Sequence, residues 1–492
     1  MNKLLDELKI DYLLVNSTNK YLVEYPALSE NARYTLTGFT GSTGDALITK
    51  DKIYLFVDGR YHIQAELECK PEITIIKLLL GQKQDEEIRK IIFPQKTLGI
   101  VSKKVSQARL EGYRGYKIKL LDKDPINDYT ENHDQFYVKS FEPVKYKPEL
   151  PTFVSNLEEV SYITGLRDFS ADNTAKIWSK LFISENEQIL FNSDDTCKEF
   201  LSKQEYEIIV DKNTISAYDY SLIKKPIHKS SQIKLLKSVK SDNEICAYKK
   251  AFERTDKAIM AIRDYIESNN CVSEYDIATK LREEFIKYGA KSLSFNSIVA
   301  INKNSAQAHY AKNDKNTFLK EGDLVLIDCG AYYESGLATD ITRVFVKGNP
   351  SNLQRRVYTI VLKAFLNCFN YQSEEFTGFE LDGLAHQILD NKIEGFKFNH
   401  GLGHGIGINV HEAPPNLSQN EIAKTKITDG MCFTIEPGLY NPDYFGIRLE
   451  NSCYKKDGKF YSFVKMGYEG KLIDYTLLND KEITWLKEFI VL

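Results

Sequence analysis

Leu324-Val325-Leu326-Ile327-Asp328 and Asp340-Ile341-Thr342-Arg343-Val344-Phe345-Val346 flank the turn-forming Glu334-Ser335-Gly336. One apolar run ends on an aspartate and the next begins with one. A hairpin centred on Glu334 puts Asp328 and Asp340 directly opposite each other on one face, with Cβ atoms about 4.5–5.5 Å apart. The pattern recurs downstream. Met431-Cys432-Phe433-Thr434-Ile435 ends on Glu436, Phe445-Gly446-Ile447-Arg448-Leu449 ends on Glu450, and Asn441-Pro442-Asp443-Tyr444 turns between them, centred on Asp443. Two hairpins thus each offer a pair of carboxylates. Four carboxylates facing one point repel, and burial raises their pKa values further, so they take up protons or are neutralised by metal ions. Two divalent cations balance four negative charges. One imidazole then completes a mixed oxygen–nitrogen donor set of the kind that suits manganese, cobalt or zinc.

His404 is the candidate imidazole. It lies in Asn399-His400-Gly401-Leu402-Gly403-His404-Gly405-Ile406-Gly407-Ile408-Asn409-Val410-His411-Glu412, where three of the chain's eight histidines fall close together, separated by glycines. Glycine allows positive φ and close approach of other groups, and an imidazole ligates a metal or moves a proton near neutral pH.

Around these stretches the sequence is that of an ordinary globular protein. It has 492 residues, 42% hydrophobic and 27% charged, with a net charge of −4. That length predicts two or three domains. No basic stripe points to nucleic acid. No apolar run is long enough to span a membrane. The acidic start Met1-Asn2-Lys3-Leu4-Leu5-Asp6-Glu7 does not read as a signal peptide. The eight cysteines are scattered without a CxxC pair, which predicts reduced thiols in a cytoplasm. Cys329 and Cys432 read as small buried strand residues.

Residues 1–135 read as an α/β domain, with strands at Tyr12–Val15, Ile53–Val57 and Ile73–Ile76. The glycine run Thr37–Gly44 lacks the ending of a phosphate loop and reads as structural turns. Proline-rich linker surrounds Pro125, Pro143, Pro148 and Pro151, and a second α/β segment spans 136–235. The last domain, 236–492, opens on the capping box Ser241-Asp242-Asn243-Glu244 and a long apolar helical stripe. Further helices start at Ser273 and Ser351, and β segments fall at 295–301, 324–327, 341–346, 431–435 and 447–449.

At its five candidate ligands the sequence resembles the metallopeptidases of the methionine-aminopeptidase/prolidase/aminopeptidase P superfamily. The motifs are Asp328-Cys329-Gly330, Thr339-Asp340-Ile341-Thr342-Arg343, His400-Gly401-Leu402-Gly403-His404, Ile435-Glu436-Pro437-Gly438 and Gly446-Ile447-Arg448-Leu449-Glu450-Asn451. His309-Tyr310, His400 and Val410-His411-Glu412 are similar to the accessory histidines of the Xaa-Pro aminopeptidase branch. Leu36–Ser42 and Phe56–Tyr61 resemble a creatinase-like N-terminal domain, and Gly165-Leu166-Arg167-Asp168 resembles the opening of a middle domain, which is shorter here than in long members.

The resemblance implies an α+β fold, a pita-bread catalytic domain preceded by creatinase-like α/β domains. It implies a homodimer with two divalent ions, manganese first and cobalt or zinc as alternatives. The metal ligands it implies are Asp328, Asp340, His404, Glu436 and Glu450. The reaction implied is hydrolysis of the first peptide bond when proline is second. Glu436 is expected to shuttle the proton, His411 and His309 to hydrogen-bond the carbonyl oxygen, and His400 to line the proline side. Arg448 is expected to orient a ligand carboxylate at the edge of the substrate site. Two alternatives remain open: a prolidase-like dipeptidase on the same fold, and a non-catalytic peptide-binding module. His62, His133, His228 and His386 carry no expected role.

Overall fold

The computed structural model describes every residue except 80, 132, 134, 374 and 375. The chain forms two compact units, one comprising residues 1–137, 142–166 and 177–233 and the other residues 138–141, 167–176 and 234–492.

The first unit contains two mixed sheets. One has six strands in the order Ile73–Lys77, Ile53–Val57, Ala46–Ile48, Tyr12–Val15, Thr97–Val101, Lys117–Leu121. The other has five, in the order Gln188–Phe191, Lys180–Ile183, Thr152–Val154, Ile208–Val210, Pro226–His228. The glycine run behaves as a turn: Gly38 ends the helix Ala32–Thr37 with a φ of 82°. That left-handed conformation is one glycine adopts without steric cost.

In the second unit the expected capping boxes all form. Ser241 with Glu244, Ser273 with Asp276 and Ser351 with Gln354 start the helices Asp242–Ser268, Glu274–Lys287 and Asn352–Phe369. A fourth box, Thr377 with Glu380, starts Gly378–Leu389. In each, side chain and backbone satisfy each other's free N–H groups at the helix start. Among the described residues, no helix is long and apolar enough to cross a membrane.

The core of this unit closes between the Asn352–Phe369 and Gly378–Leu389 helices and the inner faces of two antiparallel sheets. The first sheet has the order Ile298–Ile301, Leu324–Cys329, Ile341–Val346, and the second has Cys432–Ile435, Asn451–Lys456, Lys459–Ser462. Val344, Val357, Val361, Phe365, Phe433 and Ile435 are fully or nearly fully buried in this one core. Burial of such side chains contributes about 1.5–3 kcal/mol each before the entropy of ordering is set against it. That packing holds the carboxylate-bearing strand ends in place.

The register of the first hairpin differs from the expectation. Asp328 pairs with Thr342, not with Asp340. The turn closes as Gly336 N–H donates to the Tyr333 carbonyl at 2.9 Å. Glu334, Ser335 and Gly336 form the loop, with Gly336 at a φ of 61°, and Ala338 pairs with Tyr332. The ladder is therefore centred on Ser335. The displacement from the expected register is two residues, so Asp340 stays on the face of Asp328 as a diagonal neighbour. In the second hairpin the ladder runs as expected: Ile435 pairs with Asn451 and Gly438 with Arg448. Glu436 and Glu450 fall opposite each other where that ladder is interrupted.

Candidate metal centre

Three backbone bonds bring the two hairpins and the glycine-rich loop together. Glu450 N–H donates to the Thr342 carbonyl at 3.2 Å, joining the hairpins. Glu436 N–H donates to the Leu402 carbonyl at 2.8 Å, joining the second hairpin to the loop. Gly405 N–H donates to the Pro415 carbonyl at 2.7 Å, folding the loop back on itself. The glycines serve close approach: none of Gly401, Gly403, Gly405 and Gly407 has a positive φ. A Cβ on Gly403 would lie 2.1 Å from the Thr434 carbonyl oxygen. Any side chain there would push His404 away from the second hairpin.

Ligand atoms of Asp340, His404 and Glu450 all lie within 4.8 Å of one another. His404 Nε2 is 3.6 Å from Asp340 Oδ2 and 3.3 Å from Glu436 Oε1. Asp328 meets the group through Arg448, whose Nη2 donates to Asp328 Oδ2 at 2.5 Å. Arg448 Nε donates to Thr342 Oγ1 at 3.1 Å, and Thr342 Oγ1 donates to Glu450 Oε2 at 2.7 Å. Arg448 Nη1 donates to the Tyr440 hydroxyl at 2.8 Å, and that hydroxyl is also 2.8 Å from His400 Nε2. One guanidinium thus links a carboxylate of the first hairpin to one of the second and to a histidine of the loop.

The electrostatics are those of negative charge gathered in a dry place. Burial, followed by Glu450, Asp328 and Glu436, holds the Asp340 carboxyl well above the usual range. Burial, then Glu436 and Asp328, does the same for Glu450. Glu436 is pushed up to about 7 by burial and Asp328, against the pull of Arg448 and His411. Asp328 is raised by burial, against Arg448 and His411. Two buried carboxylate oxygens, Asp328 Oδ1 and Glu450 Oε1, have no hydrogen-bond partner. Orphaned buried acceptors are costly and rare. Here they lie in a cluster of hard oxygen donors with one imidazole. These residues fit two divalent cations, whose charge removes both the repulsion and the orphaned acceptors.

Two of the remaining candidates, His411 and His400, lie beside this cluster. The His411 ring meets the His404 ring edge-on, with centroids 4.3 Å apart. His400 is half-buried between Phe398 and Tyr440. His309 follows the short helix Asn302–Ala306, whose Ser305 hydroxyl accepts from Gly446 N–H at 2.8 Å. That ties its turn to the strand carrying Arg448. Cys329 and Cys432 are buried strand residues whose thiols burial pushes up, so they are not poised as nucleophiles.

Several residues at the site carried no sequence expectation. Thr342 was within reach of one, since alternation along its strand puts it on the face of Asp340. Thr434 donates to Glu436 Oε1 at 3.2 Å and accepts from His404 N–H at 3.1 Å. Asp382 accepts the Leu402 N–H at 2.8 Å from the Gly378–Leu389 helix. Thr434 was also within reach, since alternation puts it on the face of Glu436, whereas Tyr440 and Asp382 meet His400 and Leu402 of the loop, 40 and 20 residues away, and carry no local signature. Arg448→Met leaves Asp328 without its cation and Thr342 without its anchor. Partners that orient ligands typically contribute 10–100-fold in metal affinity, so a loss of about that size is expected by calorimetric titration with manganese. Unchanged affinity would contradict this placement.

Paired carboxylates with one imidazole define the class, a metal-dependent hydrolytic centre, and comparison with known proteins gives the family. Residues 246–456 match metallopeptidase family M24, and residues 1–126 match the creatinase/prolidase N-terminal domain. The chain is 26% identical to Xaa-Pro aminopeptidase 1 of Dictyostelium discoideum, over 97% of this chain and 88% of that protein. It is 35% identical to an Xaa-Pro dipeptidase of Pyrococcus furiosus, over 50% of this chain and 72% of that protein. A solved structure of X-prolyl aminopeptidase from Caenorhabditis elegans, described as a cytosolic enzyme with a di-nuclear active site, is similar at a TM-score of 0.85. The match covers 97% of this chain and 90% of that one at 21% identity. The chain belongs to metallopeptidase family M24. Its fold is a creatinase-like N-terminal domain followed by the family's pita-bread catalytic domain.

Proposed function

We propose that this chain is an Xaa-Pro aminopeptidase, removing the first residue from peptides that carry proline second. The observation that carries this reading is the buried cluster of Asp340, Glu450, Glu436 and His404 beside Asp328, with orphaned carboxylate oxygens that divalent cations would satisfy. Asp328, Asp340, His404, Glu436 and Glu450 would hold two cations. Bound there, the cations would make water a competent nucleophile near neutral pH and polarise the scissile carbonyl.

The chain's own residues do the rest. Glu436 takes a proton from the attacking water and delivers it to the departing proline nitrogen. His411, beside His404, and His309 donate hydrogen bonds to the carbonyl oxygen as it becomes negative. His400, steadied by the Tyr440 hydroxyl, borders the proline side. Arg448 acts on the substrate indirectly, by fixing Asp328 at the edge of the site. Proline suits a dedicated pocket because its nitrogen has no N–H and its φ is fixed.

A dipeptidase on the same fold is the nearest alternative. Similarity to chains named Xaa-Pro aminopeptidase runs end to end, over 97–99% of this chain, whereas similarity to the Pyrococcus dipeptidases spans 45–50% of it. That pattern supports the aminopeptidase. Comparing Xaa-Pro-Xaa tripeptides, Xaa-Pro dipeptides and Xaa-Ala peptides separates the readings. Release of the first residue from the tripeptide is expected, and turnover confined to the dipeptide would overturn it.

We read the two sheets of the first unit as domains 1–135 and 136–235, ahead of a catalytic domain 236–492. Manganese is the metal we assign, because oxygen donors dominate the set. All eight cysteines are free, which supports a cytoplasmic location. The homodimer rests on the family resemblance, and light scattering on the purified protein tests it.

A further inference from the structure

Glu412 follows His411 directly and is 2% exposed. Its Oε1 accepts from Lys240 Nζ at 2.7 Å, and its Oε2 is 3.2 Å from Lys237 Nζ. Both lysine side chains are at most 3% exposed. The same carboxylate accepts the Ile408 N–H at 2.8 Å, and Glu412 N–H donates to the Gly405 carbonyl at 2.8 Å. The carboxyl lies where a side chain on Gly407 would be: a Cβ there would come within 2.0 Å of it. A third buried lysine, Lys176, donates to Asn409 Oδ1 at 3.0 Å, and Asn409 Nδ2 donates to the His411 carbonyl at 3.0 Å. The backbone on both sides of His411 is thus tied to buried cations that belong to neither the candidate ligands nor the substrate-facing histidines.

Burying one carboxylate with two lysines gives little net stability compared with well-packed apolar groups, and its better-attested use is to fix one arrangement. We infer that Glu412, with Asn409, is a positioning residue for His411, holding its imidazole edge-on to His404 where it meets the reacting carbonyl. The inference rests on the role proposed above for His411. An imidazole that acts only as charge develops is sensitive to small displacements, and a 1 Å error in placement costs about 10²-fold. Loosening the clamp therefore lowers kcat and leaves KM and metal content nearly unchanged.

A double-mutant cycle tests this. Glu412→Gln, His411→Ala and the double variant are compared for kcat, KM and bound metal on an Xaa-Pro-Xaa peptide. The expected result is a fall in kcat of at least about tenfold for Glu412→Gln, with no further fall when His411 is already alanine. Glu412→Asp is expected to recover part of the loss. If Glu412→Gln fails to fold, Asn409→Ala is read in the same cycle, since it leaves the buried carboxylate paired with its lysines. Effects that add in the double variant, or a loss that tracks metal content, would overturn the inference while leaving the proposed role of His411 standing. If His411→Ala alone keeps full kcat, that role fails, and the inference falls with it.

Discussion

Glu436→Gln is expected to lower kcat by about 10²–10⁴-fold, the range a positioned general acid–base group supplies. The amide is nearly the same shape as the carboxyl and can still accept from Thr434 Oγ1, which lies 3.2 Å away. It cannot take up and return a proton. Without metal, burial and Asp328 push the Glu436 carboxyl up to about 7, and bound cations would hold it as the carboxylate that accepts the proton of the attacking water. Glutamine is also a poorer cation ligand than carboxylate, so metal content is measured alongside turnover. A variant that retains its metal and loses turnover isolates the proton transfer. A variant that keeps wild-type turnover would show that Glu436 is not the shuttle.

Stripping metal with a chelator is expected to abolish turnover and to change how stability depends on pH. Asp340, Glu450 and Glu436 all have folded pKa values raised above those of the unfolded chain. A raised carboxyl means that the folded state binds more protons, so its contribution is present below the unfolded pKa and is lost as pH rises through the folded one. The metal-free protein should therefore lose stability from about pH 5 up through the Glu436 value of about 7. Cations reverse this trend, since they bind the deprotonated ligands and their affinity grows with pH. At a free concentration 100 times the dissociation constant, stabilisation is about 2.7 kcal/mol. Thermal unfolding between pH 5 and 8, with and without manganese, reads both slopes. A metal-free protein that gains stability over that range would contradict the buried, mutually repelling carboxylates.

Glu412 carries the opposite sign. Lys237 and Lys240 outweigh burial and hold its carboxyl down at about 2, against an ordinary value of 4.5. Its contribution is present above about pH 4.5 and is lost as pH falls towards 2. The stability gap between wild type and Glu412→Gln, followed by urea unfolding, should therefore shrink as pH is lowered through that window.

These residues also show how far the sequence could be read. The acids at the ends of apolar runs announced the carboxylate cluster, and hydrophobic alternation made the second hairpin legible down to its register. The first hairpin escaped because its turn is centred on Ser335 and not on Glu334. Moving a turn centre by one residue shifts every pair by two and keeps the same side chains on each face, so hydrophobic alternation does not distinguish the two registers. The helix starts were legible because a capping box is local, four residues that satisfy one another. The polar frame of the site was not legible, because its bonds join distant residues. Thr342 reaches Glu450 across 108 positions, Arg448 reaches Asp328 across 120, and Lys240 reaches Glu412 across 172. Such pairs follow from the packing of helices and sheets around them, which no single stretch encodes.

The central claim is that a carboxylate–imidazole cluster holding two cations cuts the bond before proline. Its most direct measurement is a titration of metal-free protein with manganese, following release of the first residue from an Xaa-Pro-Xaa peptide. Release should rise with added metal and level off at two equivalents per chain. No metal uptake, and no release from any Xaa-Pro peptide at saturating manganese, would contradict the account and favour a non-catalytic peptide-binding module.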